Sequence, residues 1–219
     1  MRLLLIRHGQ TIDNVHGVLG AVVPGPGLTA LGQRQAAAIP AALASEEIAA
    51  IYVSTMVRTQ QTAAALAADR NLEPQVLDGL REITSGDLEG RSDEEATHLY
   101  MRTIFSWWQS LDGRIPGGED GHEFYARFEQ AVAGIASAHR EETVAVVSHG
   151  AAMRAWASYA STNIDPEFSR SHPLENTAMI VLEGTPEEGW RTTSWGSEPV
   201  GGYQLDDETA PDPTSEALA

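Results

Sequence analysis

The chain has 219 residues, enough for one domain with a sizeable core, and 42% of them are hydrophobic. Its formal net charge is −17, from 31 acidic residues against 14 arginines and no lysine, a balance that argues against nucleic acid and anionic membranes as partners. It has no cysteine, which excludes disulfides and thiolate metal sites, and no run of ~18 apolar residues that would suit a membrane span. The apolar stretch at residues 1–6 is too short for a signal peptide, and we expect a cytoplasmic protein.

The first half of the chain alternates between strand-like and helix-like segments. The apolar run "RLLLI" (residues 2–6) predicts a strand buried on both faces. Helical spacing follows in "LTALGQRQAAAIPAALASEE", with Thr29 as the N-cap and Pro40 expected to break or kink the helix. "IAAIYVS" (48–54) predicts a second strand, and "MVRTQQTAAALAAD" (56–69) predicts the helix after it.

The second half continues this alternation. We predict, in order, a strand at 74–79, helices at 92–110 and 119–139, a β-branched strand at 143–148, a helix after it, and a closing hairpin of 177–184 with 190–195. Such an alternation is typical of an α/β fold, here a three-layer α/β/α sandwich with a mostly parallel central sheet.

One domain is expected over residues 1–204. The helical stretch at about 92–140 would be a cap inserted between the third and fourth strands. From Leu205 onward the chain is acidic and rich in proline, so residues 205–219 are predicted to form a disordered tail.

Charged and imidazole side chains follow three of the predicted strands. The first strand runs into Arg7-His8-Gly9, the second is followed by Arg58, and the fourth runs into His149. Because ligands of open α/β sheets bind outside the carboxyl ends of the strands, we expect these groups to meet in one cleft. Guanidinium groups bind phosphate oxygens bidentately, and a neutral imidazole is a nucleophile toward phosphorus. The pattern therefore predicts a phosphate site, with Gly9 leaving room for the ligand.

Cleavage of a phosphate ester also needs an acid for the leaving oxygen. The segment "LREITSGDLEG" offers Glu82, Asp87 and Glu89 for this task. Other chemistries lack their residues: there is no His-x-His or His-Glu-x-x-His spacing for a metal, no lysine for a P-loop and no G-x-S-x-G elbow. The glycines of "GPGLTALG" are misplaced for a dinucleotide fingerprint. We therefore expect neither a metal nor a cofactor.

Five motifs make the chain similar to one known family. In chain order they are Arg7-His8-Gly9-Gln10-Thr11, followed by Asn14; "LTALGQRQA" at 28–36; "STMVRTQQTA" at 54–63; "LREITSGDLEG" at 80–90; and "VSHGAAMRA" at 147–155. Their order and spacing over residues 1–195 resemble the histidine phosphatase superfamily, the phosphoglycerate mutase-like group. The joint match is far more specific than Arg-His-Gly alone.

This resemblance implies a role for each matching residue. His8 would be the nucleophile that becomes phosphorylated, and Glu82 the general acid that later serves as the base for water. The residues that would bind the transferring phosphoryl group are Arg7, Arg58 and His149, and those of the pocket wall are Gln10 and Asn14. Two guanidinium groups can replace a metal ion in such a transfer, because it depends on positioning and charge stabilisation.

Departures from the family pattern separate a phosphatase from a mutase. The mutase branch has a Tyr-Gly-Lys region and an arginine pair after the acid residue; here "ITSGDLEG" follows Glu82, and neither feature is present. The stretch "PGGEDGHEFYARF" (116–128) resembles the shorter insertion of the phosphatase branches. The resemblance therefore favours a metal-independent phosphomonoesterase acting on a small metabolite. A phosphoglycerate mutase-type isomerase is the alternative, and a phosphate-binding module without turnover is a third hypothesis.

Partners follow from the same reasoning. We expect a small-molecule phosphomonoester as the ligand, and neither nucleic acid nor a membrane. The sequence does not identify the natural substrate, and a homodimer formed along a sheet edge stays open.

Overall fold

A six-stranded mixed sheet forms the centre of the fold in the computed structural model, which describes residues 1–214. The strands are β1 (Arg2–Arg7), β2 (Ile48–Val53), β3 (Gln75–Val76), β4 (Thr143–Ser148), β5 (Met179–Thr185) and β6 (Gly189–Trp195). Their order across the sheet is β3-β2-β4-β1-β5-β6. The first four in this order are parallel, and the β5–β6 hairpin continues the sheet in antiparallel fashion. The predicted mostly parallel sheet is therefore confirmed.

Seven helices connect or flank these strands within the described residues. They are α1 (Ile12–His16), α2 (Ala30–Ala42), α3 (Val57–Arg70), α4 (Glu94–Ser106), α5 (Gly121–Ala138), α6 (Gly150–Ala160) and α7 (Pro166–Ser171). The sequence predicted all of them except the short α1 and α7. None of the helices in residues 1–214 has the length and apolarity that crossing a membrane requires.

The start of α2 agrees with its predicted cap, but its end does not. The Thr29 hydroxyl accepts a hydrogen bond from the Gly32 N–H and so satisfies one of the first free amides. The helix then passes through Pro40 and ends at Ala42. Only two helical residues follow Pro40, so the missing N–H interrupts little of the hydrogen-bond ladder.

Strand alternation builds one core on each side of the sheet. In β1, Leu3 and Leu5 belong to the core formed with α4, α5 and α6, whereas Leu4 and Ile6 belong to the core formed with α2 and α3. Successive strand residues point to opposite faces, so an unbroken apolar run serves both cores at once. The three-layer arrangement predicted from the sequence is confirmed.

The insertion between β3 and β4 contributes to the core beside α6. Helices α4 and α5 supply Tyr100, Phe124 and Phe128, which are buried in the same cluster as Leu3 and Leu5 of the sheet. Residues 92–140 therefore form much of one helical layer. They also bring Tyr100 to the edge of the cavity described below.

The end of the described chain differs from the predicted disordered tail. The Gln35 side-chain amide donates to the carbonyl of Leu205 over 2.8 Å, and Asp212 is buried with only 4% exposure. Composition indicated solvated chain, but it carries no signal for a carboxylate that pairs with a buried guanidinium. Residues 215–219 of the predicted tail lie outside the described residues.

Candidate active site

A small cavity lies where the parallel strands β1 and β4 end, as expected for the ligand site of an open α/β sheet. Its volume is about 40 Å³. Five of the seven candidate residues line it, namely Arg7, His8, Asn14, Arg58 and Glu82. The lining residues that the sequence reasoning did not single out include Asp13, Ser85, Tyr100, Asp212, Pro213 and Thr214.

The His8 imidazole is held in a defined tautomer. Its Nδ1 lies 2.8 Å from the Gly9 carbonyl oxygen, which can only accept, so Nδ1 carries the proton and Nε2 keeps its lone pair. Burial, followed by the charges of Arg58 and Arg7, holds the pKa of His8 well below its usual value. The side chain is therefore a neutral base with Nε2 as its unprotonated atom.

Gly9 is required by the neighbouring helix. A Cβ atom on Gly9 would lie 2.7 Å from the carbonyl oxygen of Gly32, and a Cβ on Gly32 would lie 2.2 Å from that of Gln10. The turn after β1 thus packs backbone to backbone against the first turn of α2. Gly9 was predicted to make room for a ligand; in the structure its missing side chain makes room for α2.

Arg58 and His149 form one hydrogen-bonded unit. The Arg58 Nε donates to His149 Nδ1 over 3.2 Å, and Arg58 Nη2 donates to the Gly20 carbonyl over 3.1 Å. Because Nδ1 accepts, His149 Nε2 carries the proton and donates to the Ser54 hydroxyl at 2.8 Å. Burial lowers the pKa of Arg58, which the Glu82 carboxylate partly opposes. His149 is fully buried and does not line the cavity. The centroid of its ring lies 5.2 Å from that of His8, which does line it.

Arg7 bonds to backbone and to a carboxylate. Its Nη1 donates to the Leu174 carbonyl over 2.6 Å, and its Nη2 donates to Oδ2 of Asp212. The Asn14 side-chain amide donates to the same Oδ2 over 2.9 Å. An acidic residue 205 positions away in sequence thus reaches the predicted phosphate-binding arginine. No sequence motif marks Asp212 for this position.

Glu82 lies at the N-terminus of α6. Its Oε1 accepts from the N–H groups of Ile83 and Ala152, both over 2.9 Å, and its Oε2 accepts from Ala151 over 3.2 Å. Burial raises the pKa of Glu82, while the Ile83 N–H and the Arg58 charge oppose the rise. Two amides of the first turn of α6 thus bind this carboxylate, at the helix end that favours a negative charge.

The remaining candidates lie elsewhere. The Gln10 amide donates to Asp207 over 2.8 Å, and its carbonyl accepts from Thr29 over 2.7 Å, so it does not line the cavity. Of the three acids in residues 80–90, only Glu82 lines the cavity. The Glu89 carboxylate accepts hydrogen bonds from the backbone amides of residues 21 and 22. Within residues 1–214, no three His, Asp or Glu side chains cluster in a way that suits a metal ion.

Comparison with known sequences gives relatives over most of the chain. The PE-PGRS family protein PE_PGRS11 of Mycobacterium tuberculosis is 38% identical over 216 residues, covering 91% of this chain and 37% of that protein. The chain therefore spans little more than a third of that relative. The adenosylcobalamin/alpha-ribazole phosphatase of Escherichia coli is 32% identical over 68% of this chain and 73% of its own. A probable phosphoglycerate mutase, GpmB, of Yersinia enterocolitica is 29% identical, with 92% and 93% covered.

Solved structures share the fold. YhfR of Bacillus stearothermophilus has a TM-score of 0.76 and 26% identity, with 92% of this chain and 99% of that chain covered. A mycobacterial glucosyl-3-phosphoglycerate phosphatase has a TM-score of 0.75 and 25% identity, with 90% and 99% covered. The model of the histidine phosphatase superfamily (branch 1) matches residues 3–198, which include all seven candidate site residues. The chain belongs to branch 1 of the histidine phosphatase superfamily.

Proposed function

We propose that this chain is a phosphomonoesterase that hydrolyses a small phosphorylated metabolite through a phosphohistidine on His8. The observation that carries the proposal is the state of His8, a neutral imidazole that lines a cavity together with Arg7 and Arg58. An uncharged ring nitrogen attacks phosphorus, and two guanidinium groups stabilise the negative charge of the transferring group. A binding module would need the arginines but not the unprotonated nucleophile.

The first half-reaction forms the bond between His8 Nε2 and phosphorus while the ester P–O bond breaks. The leaving oxygen takes its proton from Glu82. Oε1 of Glu82 already accepts two N–H groups and Oε2 accepts one, so Oε2 is the oxygen with room for the proton. The raised pKa of this carboxyl favours the protonated form that an acid catalyst needs.

The second half-reaction is hydrolysis of the phosphohistidine. Glu82, now a carboxylate, takes a proton from water as the oxygen attacks phosphorus. The N–P bond breaks, His8 returns as a neutral imidazole, and inorganic phosphate leaves. Arg7 and Arg58 supply in both steps the positive charge that a metal ion supplies in other phosphoryl-transfer enzymes, and we propose that no metal is required.

His149 acts on the phosphoryl group through Arg58. Its Nδ1 accepts from Arg58 Nε and so orients the guanidinium. A direct hydrogen bond from Nδ1 to a phosphate oxygen requires a protonated ring, and burial together with Arg58 lowers the pKa of His149. The geometry therefore favours positioning of Arg58 over direct phosphate binding.

A phosphoglycerate mutase-type isomerase is the second candidate, since some relatives are named probable phosphoglycerate mutases. A mutase must also hold the carboxylate of its substrate. Among the described residues, the cations that line the cavity are Arg7 and Arg58, and both are assigned to the phosphoryl group, so a substrate carboxylate finds no further cation there. The lack of a further cation favours hydrolysis.

We also propose a cytoplasmic location, which the absence of cysteine suits.

The proposal is tested by phosphate release in the presence of EDTA from sugar phosphates, phosphoglycerates and p-nitrophenyl phosphate. We expect release by the native chain and none by His8→Ala. His16→Ala is the matched control, because His16 is an exposed histidine outside the cavity. Isomerisation of a phosphoglycerate without release would favour the mutase, and equal release by both variants would exclude His8 as the nucleophile.

A further inference from the structure

The Asp212 carboxylate has a partner at both of its oxygens. Oδ2 accepts from the Arg7 guanidinium and from the Asn14 amide, and Oδ1 accepts from the N–H and hydroxyl of Thr214 at 3.0 and 3.1 Å. Arg7 and Asn14 are both donors that line the cavity beside His8. The carboxylate thus has the environment that an anionic ligand would have.

Asp212 also lies in the wall of the cavity that a ligand would enter. Asp212, Pro213 and Thr214 form part of the wall of the cavity, which measures about 40 Å³. A single water needs roughly 10–15 Å³ by this kind of measure, whereas small-molecule sites usually have several hundred Å³. With these residues in place, the cavity beside His8 is small and holds a few water molecules.

Polar contacts hold the C-terminal segment, defined here as residues 207–214. Asp207 accepts from Gln10 over 2.8 Å, and the Thr214 carbonyl accepts from Arg154 Nη1 over 3.0 Å. The segment reads "DETAPDPT" and places no large apolar side chain in the core. A segment held mainly by exchangeable polar contacts opens at a low free energy compared with a core element.

A stabilising ion pair alone gives a weaker account of this arrangement. Burying a carboxylate against a guanidinium has a desolvation cost that often cancels the attraction, so such pairs add little net stability. A phosphate ester dianion carries more charge than a carboxylate and has three oxygen acceptors, which makes it the stronger ligand for Arg7. The contacts of Asp212 are therefore the contacts that a substrate can take over.

We propose that Asp212 is an internal ligand of the phosphate site, which the substrate displaces from Arg7 and Asn14 together with the C-terminal segment. This inference rests on the proposed function, because it takes the donors around Asp212 to be those that bind the phosphoryl group. The segment then competes with the substrate and with inorganic phosphate. The fraction of molecules in which the segment occupies the site sets the apparent affinity for the substrate and for inorganic phosphate.

The test compares Asp212→Ala with Glu208→Ala, which removes the same charge from an exposed side chain of the same segment. KM for p-nitrophenyl phosphate and the inhibition constant of inorganic phosphate are measured for both variants and for the native chain. If the segment fills the site in about 90% of molecules, both constants fall about tenfold in Asp212→Ala. We expect Asp212→Ala to keep the native kcat, and Glu208→Ala to keep the native kcat, KM and inhibition constant. An ion pair that only stabilises the fold predicts a lower Tm with KM unchanged.

Hydrogen exchange on the native chain gives a second readout that needs no variant. The Thr214 amide donates to Asp212, so inorganic phosphate is expected to speed the exchange of this amide by displacing the segment. The inference is overturned if KM and the inhibition constant of phosphate are unchanged in Asp212→Ala and if exchange is insensitive to phosphate. In that case, His8-dependent hydrolysis by the native chain would still support the proposed function. If neither the native chain nor Asp212→Ala hydrolyses an ester or binds phosphate, both proposals fail.

Discussion

In the proposed mechanism the two ring nitrogens of His8 have different tasks, and one backbone carbonyl distinguishes them. The Gly9 carbonyl fixes the proton on Nδ1, which leaves Nε2 free for the proposed attack on phosphorus. Glu82 shows the same division between its oxygens, because backbone amides occupy Oε1 more fully than Oε2. In both residues the backbone around the side chain selects the reactive atom.

The opposite pKa shifts of His8 and Glu82 predict an acidic pH optimum for an alkyl phosphate. A lowered pKa keeps His8 neutral below the ordinary histidine value, so the nucleophile is not lost as the pH falls toward 6. A raised pKa keeps part of Glu82 protonated above the ordinary carboxyl range, and this acid is lost as the pH rises through it. We therefore expect kcat/KM to be highest on the acid side of neutrality and to fall as the pH rises through the raised pKa of Glu82.

Glu82→Gln tests whether Glu82 causes this decline of kcat/KM with rising pH. Without a titrating acid, kcat/KM is expected to drop by about 10²–10⁴ and to lose its decline with rising pH, apart from the part due to substrate ionisation. Asp87→Asn, an exposed acid of the same segment, should keep the native profile. A full decline with rising pH in Glu82→Gln would remove Glu82 from the role of acid.

The motifs of the sequence were sufficient to predict His8, Arg58 and Glu82 at the cavity. The hydrogen bonds that set their states were not predictable, because they depend on which backbone groups approach in three dimensions. The α6 amides illustrate this, because two of them donate to Glu82, a contact that no motif of the sequence indicates. His149 was likewise placed near His8 correctly, while its bond to Arg58 was not foreseen.

At the level of elements, the site depends on how the turn after β1 meets α2. Gly9 and Gly32 allow the two backbones to touch, and this contact supports the turn that carries His8. Strong local signals predicted β1, β4, α3 and the Thr29 cap. The strand β3 is shorter than predicted, because it pairs with only two residues of β2 before the chain turns toward Glu82.

Gly32→Ala is expected to lower the free energy of unfolding by about 1–3 kcal/mol, since its Cβ would collide with the backbone of Gln10. Gly134→Ala is the matched control, because nothing lies within 4 Å of a Cβ in that helical position. This control is expected to gain about 0.5–1 kcal/mol from helix propensity. Denaturant titration measures both, and equal stability of the two variants would contradict the packing account.

At the level of the whole molecule, the chain has to admit an anion against its own field. The net charge is −17, and among the described residues two arginines and three carboxyl groups line the cavity. Composition gives the overall sign directly. It gave no indication that the last described residues return to the site, because a single buried pair between Arg7 and Asp212 has no signature in average composition.

This field predicts that salt assists the enzyme. Raising the ionic strength from about 0.01 M to about 0.15 M shortens the screening length from roughly 30 Å to roughly 8 Å, which weakens repulsion of a dianionic substrate. We expect kcat/KM for glycerol phosphate to rise with sodium chloride. The rise should be smaller for phosphoethanolamine, whose ammonium group offsets part of the charge. A fall in kcat/KM for glycerol phosphate would show that the arginines dominate the field.

If the phosphoryl group passes through His8, the phosphorylated enzyme can be trapped during turnover. After a rapid alkaline quench during turnover, trypsin should release residues 8–34, a peptide that contains both His8 and His16. Fragmentation in the mass spectrometer then locates the modification. We expect one phosphoryl group on His8, absent from His8→Ala and retained in His16→Ala. A phosphoryl group on any other residue, or a native enzyme that turns over without one, would contradict the proposed mechanism.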